Sequence, residues 1–103
     1  MDVIYTLNEH HIQELHHLFQ NEWWTKGRSF EETKRCIDGS DINIGIVDDH
    51  DSLRAYARVL TDYTFKALIF DIIVASEHRD EGLGDRLMTL IKNHKDLQHV
   101  KHF

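Results

Sequence analysis

Ala67 to Ala75 reads Ala-Leu-Ile-Phe-Asp-Ile-Ile-Val-Ala, and a few residues later glycines stand at 82 and 84 at the head of a helical pattern. A run that is almost continuously apolar and rich in β-branched side chains predicts a central strand covered on both faces. Only Asp71 interrupts it. Beyond the glycines, Leu83, Leu87, Leu90, Ile91 and His94 recur at helical spacing, so this helix packs an apolar face back on the sheet. A buried strand that turns into a helix through glycine confines the chain to folds built around a strand, loop and helix crossover.

The rest of the chain is punctuated without proline, by Gly, Asn, Asp and Ser. Residues 2 to 6 read as a short first strand. Asn8 is placed to cap a helix that carries Ile12, Leu15, Phe19 and Trp23 on one stripe. Ser29-Phe-Glu-Glu32 has the form of a capping box, so a second helix starts there. That helix turns Phe30, Thr33, Cys36 and Ile37 inward and stops at Asp38-Gly39, where glycine is expected in the left-handed conformation. Ile42, Ile44 and Ile46 alternate with Asn43, Gly45 and Val47. After the acidic turn Asp48 to Asp51, a second alternation runs through Leu53, Ala55, Ala57 and Val59, so the two form a hairpin. His99 to Phe103 has the look of a further strand. The predicted order is β-α-α-β-β-β-α-β, a mixed, mainly antiparallel sheet flanked by helices, of α+β or mixed α/β class.

A chain of 103 residues is expected to form a single domain over 1–103. Its formal charge of −6 argues against nucleic acid as a partner, because phosphate-backbone binders present a net basic face. The same field attracts cations and suits an amine substrate. No apolar stretch resembles a secretory signal or a membrane span, and Cys36 has no second cysteine to pair with. The expectation is a cytoplasmic protein without a membrane partner. Cys36 reads as a small buried side chain, since no base stands beside it in the sequence.

Gly82 and Gly84 lie where bare amides at a helix start can face an anion, helped by the helix dipole and by the forked guanidinium of Arg79. A tight strand-to-helix turn with no ligand would carry the same two glycines. Neither a phosphate-loop lysine nor a full Gly-x-Gly-x-x-Gly is present; position 87 is leucine.

The whole stretch Val74-Ala-Ser-Glu-His-Arg79-Asp-Glu-Gly82-Leu-Gly84-Asp-Arg-Leu87-Met88 resembles the signature of the GNAT superfamily of acyl-CoA-dependent N-acetyltransferases: Gln or Arg, two residues, Gly, one residue, then Gly or Ala. The order of elements before it is also similar to the first half of that family's fold. The resemblance implies that acetyl-CoA is bound, with backbone groups of Ile72, Ile73 and Val74 pairing with the pantetheine arm and Arg79, Asp80, Glu81, Gly82, Leu83 and Gly84 holding the pyrophosphate. It implies transfer of acetyl to a primary amine of a small molecule or peptide, with a carboxylate on this strand as proton acceptor. Asp71 is the candidate; its alternative role is a structural carboxylate bonded to a neighbouring strand or loop.

Two departures follow from the same comparison. Asp80 and Glu81 bring carboxylates beside a pyrophosphate, where they are electrostatically unfavourable unless turned to water. The family's C-terminal helix and closing hairpin, with the tyrosine that usually protonates the thiolate, have no counterpart here, so the exposed sheet edge is expected to recruit a second copy of the chain. A non-catalytic acyl-CoA-binding or self-associating module is the alternative reading, and a nucleotide-binding loop unrelated to coenzyme A is a third.

Trp23 and Trp24 are candidates for an aromatic floor that holds a cationic amine; otherwise one staples the first helix and the other covers surface. Arg54 and Arg58 share a strand face and are expected to pair with carboxylates. His10, Glu14 and His17 could share a helix face, but no second cluster completes a metal site, and none is expected. His10-His11 and His16-His17 read as solvated.

Overall fold

The computed structural model describes residues 1–103. Strand β1 (Asp2–Ile4) is followed by helices α1 (Glu9–Gln20) and α2 (Phe30–Asp38), strands β2 (Ile42–Val47), β3 (Leu53–Thr61) and β4 (Ala67–Val74), and helix α3 (Leu83–Lys92). The four strands form one antiparallel sheet in the order β1-β2-β3-β4.

Local chemistry starts both early helices where the sequence places them. The Asn8 side chain accepts from the His11 amide, and the His11 ring accepts in turn from the Asn8 amide. Ser29 and Glu32 make the reciprocal pair at α2. His11 is nevertheless buried, not solvated: its other ring nitrogen lies 3.0 Å from Asp51, at the tip of the β2–β3 hairpin. Two further expectations give way. Trp23 lies past the end of α1 and is 88% exposed, so the helix stripe ends at Phe19. Gly39 closes α2 in a right-handed conformation, φ −85°, and the left-handed cap is not used.

Side chains alternate across the sheet, and this sorts the core into two layers. Leu15, Phe19 and Ile37 of the first two helices pack with Val47, Leu53, Tyr56 and Ile73 on one face. Leu83, Leu87 and Ile91 of α3 pack with Ile42, Ile44, Ile46, Ala55, Ala57 and Val59 on the other. Gly45 is required by close approach: a Cβ there would stand 2.9 Å from side-chain atoms of both Ile4 and Leu53.

The largest revision concerns β4. It is the edge strand and not a central one, and Leu68, Phe70 and Ile72 are 53%, 37% and 37% exposed, the first two on one face before a bulge and Ile72 within it. Periodicity cannot separate the two cases, because the strand carries apolar residues on both faces wherever it sits. A bulge also reverses its facing. Arg58 is opposite Phe70 and Tyr56 opposite Ile73, so Asp71 and Ile72 together face one residue of β3. Asp71 adopts φ 58° to make that bulge. Before it Ala67 and Ile69 face α3; after it Val74 takes that side and Ile73 faces α1. Residues 99 to 103 do not form the expected strand. They contribute one parallel bridge, in which the Ala67 amide donates to the His102 carbonyl at 2.9 Å and the His102 amide to the Phe65 carbonyl at 3.0 Å.

Candidate functional site

From the end of β4 the backbone passes through a 3-10 turn at Ser76–His78 and enters α3 by a loop with two left-handed residues, Asp80 at φ 68° and Gly82 at φ 79°. Aspartate tolerates that region, and glycine occupies it without steric cost. Left-handed Gly82 followed by helical Leu83 turns successive amides to one side, the geometry of an anion nest. No side chain caps α3, so its first-turn amides are left for solvent or a ligand. A Cβ at Gly82 or Gly84 would meet nothing within 4 Å, so open space lies in front of both.

Val74, Arg79, Asp80, Gly82, Leu83 and Gly84 line a depression of about 610 Å³. Ile72, Ile73, Val74 and Arg79 line a second of about 290 Å³ together with Glu22 and Trp24. Val74 and Arg79 belong to both, so a continuous path runs along the free edge of β4 to the start of α3. All of the candidate cofactor residues except Glu81 line it. The Glu81 carboxylate turns back on the His78 ring at 3.2 Å, and the Asp80 side chain is exposed. Of the two tryptophans, Trp24 joins the groove and Trp23 does not.

Asp71 lies on the same strand but is held elsewhere. Arg28, from the connection between α1 and α2, donates to both of its oxygens at 2.7 and 3.1 Å, and Arg58 Nε donates at 2.7 Å. The carboxylate is 6% exposed. Burial pushes its pKa up, but the hydrogen bonds and charges of the two guanidinium groups outweigh that and hold it below the ordinary value. Each arginine also lies over a ring, Arg28 at 4.7 Å from Phe19 and Arg58 at 5.0 Å from Phe70. Arg54 pairs with Asp48 at 2.8 Å, so both strand arginines engage carboxylates.

Other candidates resolve similarly. Cys36 is half-buried and donates to the Thr33 carbonyl at 3.2 Å; burial pushes its thiol pKa up, which disfavours the nucleophilic thiolate. Glu14 accepts from the Leu53 amide at 2.9 Å and lies 3.3 Å from His10, so it tethers α1 to β3. No group of three His, Cys, Asp or Glu side chains is placed to hold a metal ion. No helix is long and apolar enough to cross a membrane.

Sequence reasoning missed Glu22 and Arg28. Glu22 pairs with Arg79 at the groove, and Arg28 ties the α1–α2 connection to β4. A lone carboxylate inside an apolar run signals that a cation must meet it, but nothing local says which one.

The model of the acetyltransferase (GNAT) family matches residues 9–101. A solved structure from Xanthomonas campestris pv. campestris, assigned to the same family, is similar with a TM-score of 0.79 and 33% identity; the match covers 100% of this chain and 73% of that one. An aminoglycoside 6'-N-acetyltransferase solved in complex with coenzyme A is similar with a TM-score of 0.76 and 20% identity, over 89% of this chain and 53% of its own. Glucosamine-6-phosphate N-acetyltransferase from Arabidopsis thaliana gives 0.70 and 16%, over 98% of this chain and 78% of its own. The last two likenesses are of fold. No curated protein matches the chain.

Proposed function

Because the chain belongs to the GNAT acetyltransferase family, we propose that it binds acetyl-CoA along β4 and the Arg79–Gly84 loop and moves the acetyl group to a primary amine. The observation that carries this reading is the continuous path from the unpaired edge at Ile72–Val74 to the bare amides at Gly82–Gly84. An edge strand offers backbone groups to an amide-bearing arm, and a helix start with open glycines offers N–H groups and partial positive charge to a phosphate. Acetyl-CoA would supply an acyl group activated as a thioester. The chain's own part is to hold the reactants in line, to exclude water with the Ile72, Ile73 and Trp24 walls, and to present a cation at Arg79.

Asp71 is the weakest member of this reading. Its lowered pKa makes it a poor proton acceptor at neutral pH, and both of its oxygens are already bonded. This favours the second reading, a coenzyme A-binding module without turnover; turnover requires the amine proton to leave by another group or by water. A cytoplasmic location and self-association through the β4 edge belong to the same proposal.

Thermal-shift measurements with acetyl-CoA, coenzyme A and ATP test the binding step. Stabilisation by both coenzyme A species and not by ATP is expected, since a ligand of the folded state alone must raise the melting temperature. Absence of a shift with either would sink the assignment. Free thiol released on adding a panel of amines separates the enzyme from the binding module. Asp71→Asn that turns over at the wild-type rate when saturated would remove that residue from the chemistry.

A further inference from the structure

Arg79 is the cation of the candidate phosphate site, and it is already engaged. Its guanidinium bonds the carboxylate of Glu22, which stands immediately after the Asn21 cap of α1. The Glu22 carbonyl accepts from the amides of Thr25 and Lys26 at 3.2 and 2.8 Å, so the backbone that carries this carboxylate is fixed. Its side chain is 19% exposed, against 52% for Arg79. The arginine is therefore the partner with freedom to leave.

The neighbouring charges sharpen the consequence. Asp80, Glu81 and Asp85 surround the loop, His78 is paired with Glu81, and Arg86 donates to the Met1 carbonyl at 2.8 Å. With Glu22 on Arg79, this end of the path has no uncompensated guanidinium for a phosphate. Glu22 meets Arg79 through Nη2, so an anion that takes the guanidinium in a forked pair at that nitrogen displaces Glu22 and leaves its carboxylate unpaired in a groove walled by Trp24, Ile72, Ile73 and Val74. An unpaired carboxylate against apolar walls is costly, and an ammonium group beside it, over the Trp24 ring, offsets that cost.

We propose that Glu22 is an exchangeable counter-ion: it neutralises Arg79 in the free protein, and it binds a cationic amine acceptor once a phosphate has taken Arg79, so that the acceptor site is created by cofactor binding. This rests on the reading of the Arg79–Gly84 loop given above, and it adds an acceptor-binding residue and an order of binding. Linkage requires the effect to be reciprocal, each ligand tightening the other by the same factor.

Titration calorimetry at low ionic strength tests it, with coenzyme A as the anion and spermidine as the amine, on wild type, Glu22→Gln and the exposed-surface control Glu31→Gln. In wild type and the control, coenzyme A should tighten spermidine at least about fivefold, and spermidine should tighten coenzyme A equally. Glu22→Gln should bind coenzyme A on the order of two- to fivefold more tightly than wild type, the scale of one released ion pair, and should lose the coupling. Melting curves of the free proteins check that each variant is folded. Equal coenzyme A affinity in wild type and Glu22→Gln, or spermidine binding that ignores coenzyme A, would overturn the role of Glu22 and leave the cofactor assignment standing. Coenzyme A binding to Glu22→Gln alone would support the counter-ion and show that it shuts the wild-type site. Binding to neither protein would remove both proposals.

Discussion

Asp71 carries two constraints at once: it makes the β4 bulge at φ 58° and anchors Arg28 and Arg58 in one carboxylate. Asp71→Ala would leave two guanidinium groups facing each other with no counter-charge, and it should cost roughly 3–5 kcal/mol in urea unfolding, the range for breaking a buried ion pair from one side. The same group makes stability depend on acid. Its folded pKa lies below the ordinary 3.8, and that of Asp48, bonded by Arg54 and by the Ser52 and His50 amides, falls from 3.8 to about 2. Between the unfolded and folded values the unfolded chain binds more protons. The stabilisation is therefore complete above about pH 5 and is lost as pH falls towards 2. Melting temperature should drop across that window, and the drop should be shallower in Asp48→Asn, which has no such proton to take up.

Gly82 and Gly84 are two residues apart at the start of α3, yet they differ in what they contribute to the element. Gly82 needs its left-handed φ of 79°, so Gly82→Ala should cost about 1–2 kcal/mol through backbone strain although its Cβ meets no atom. Gly84 lies inside the first helical turn with open space around it, so Gly84→Ala should stabilise by roughly 0.5–1 kcal/mol. Thermal denaturation of the two free variants reads the opposite signs. The Asn8 cap, the Ser29–Glu32 capping box and the stripes Ile12 to Phe19, Phe30 to Ile37 and Leu83 to Ile91 are legible because each depends on residues within a few turns, whereas Trp23 and His94 fall beyond the ends of α1 and α3. The position of β4 is not legible. Its eight-residue run suits a central strand equally well, and what places it at the edge is that no strand pairs on its side away from β3.

For the whole molecule, the sheet is covered by α1 and α2 on one face and by α3 on the other, while the side chains of Leu68, Phe70 and Ile72 stay exposed and no further strand pairs with β4 beyond the bridge at its Ala67 end. Sedimentation equilibrium is expected to show concentration-dependent self-association, and Leu68→Lys should weaken it, because a charge on an edge strand opposes pairing. A strict monomer at high concentration would refute this. By itself the sequence determined the order of the elements through β4 and α3, the N-terminal caps of α1 and α2, the apolar stripes of the helices and the glycine loop, since these follow from chemistry between neighbours along the chain. Tertiary structure alone decided which residues meet at the site. Arg28 reaches Asp71 across 43 positions and Arg79 reaches Glu22 across 57, and such pairs form only when packing of the two cores brings α1, the α1–α2 connection and the edge of β4 to one place. The glycine loop thus marks where an anion can bind, but the partners of Arg79 and Asp71, and so the charge that the site presents, were set by the fold.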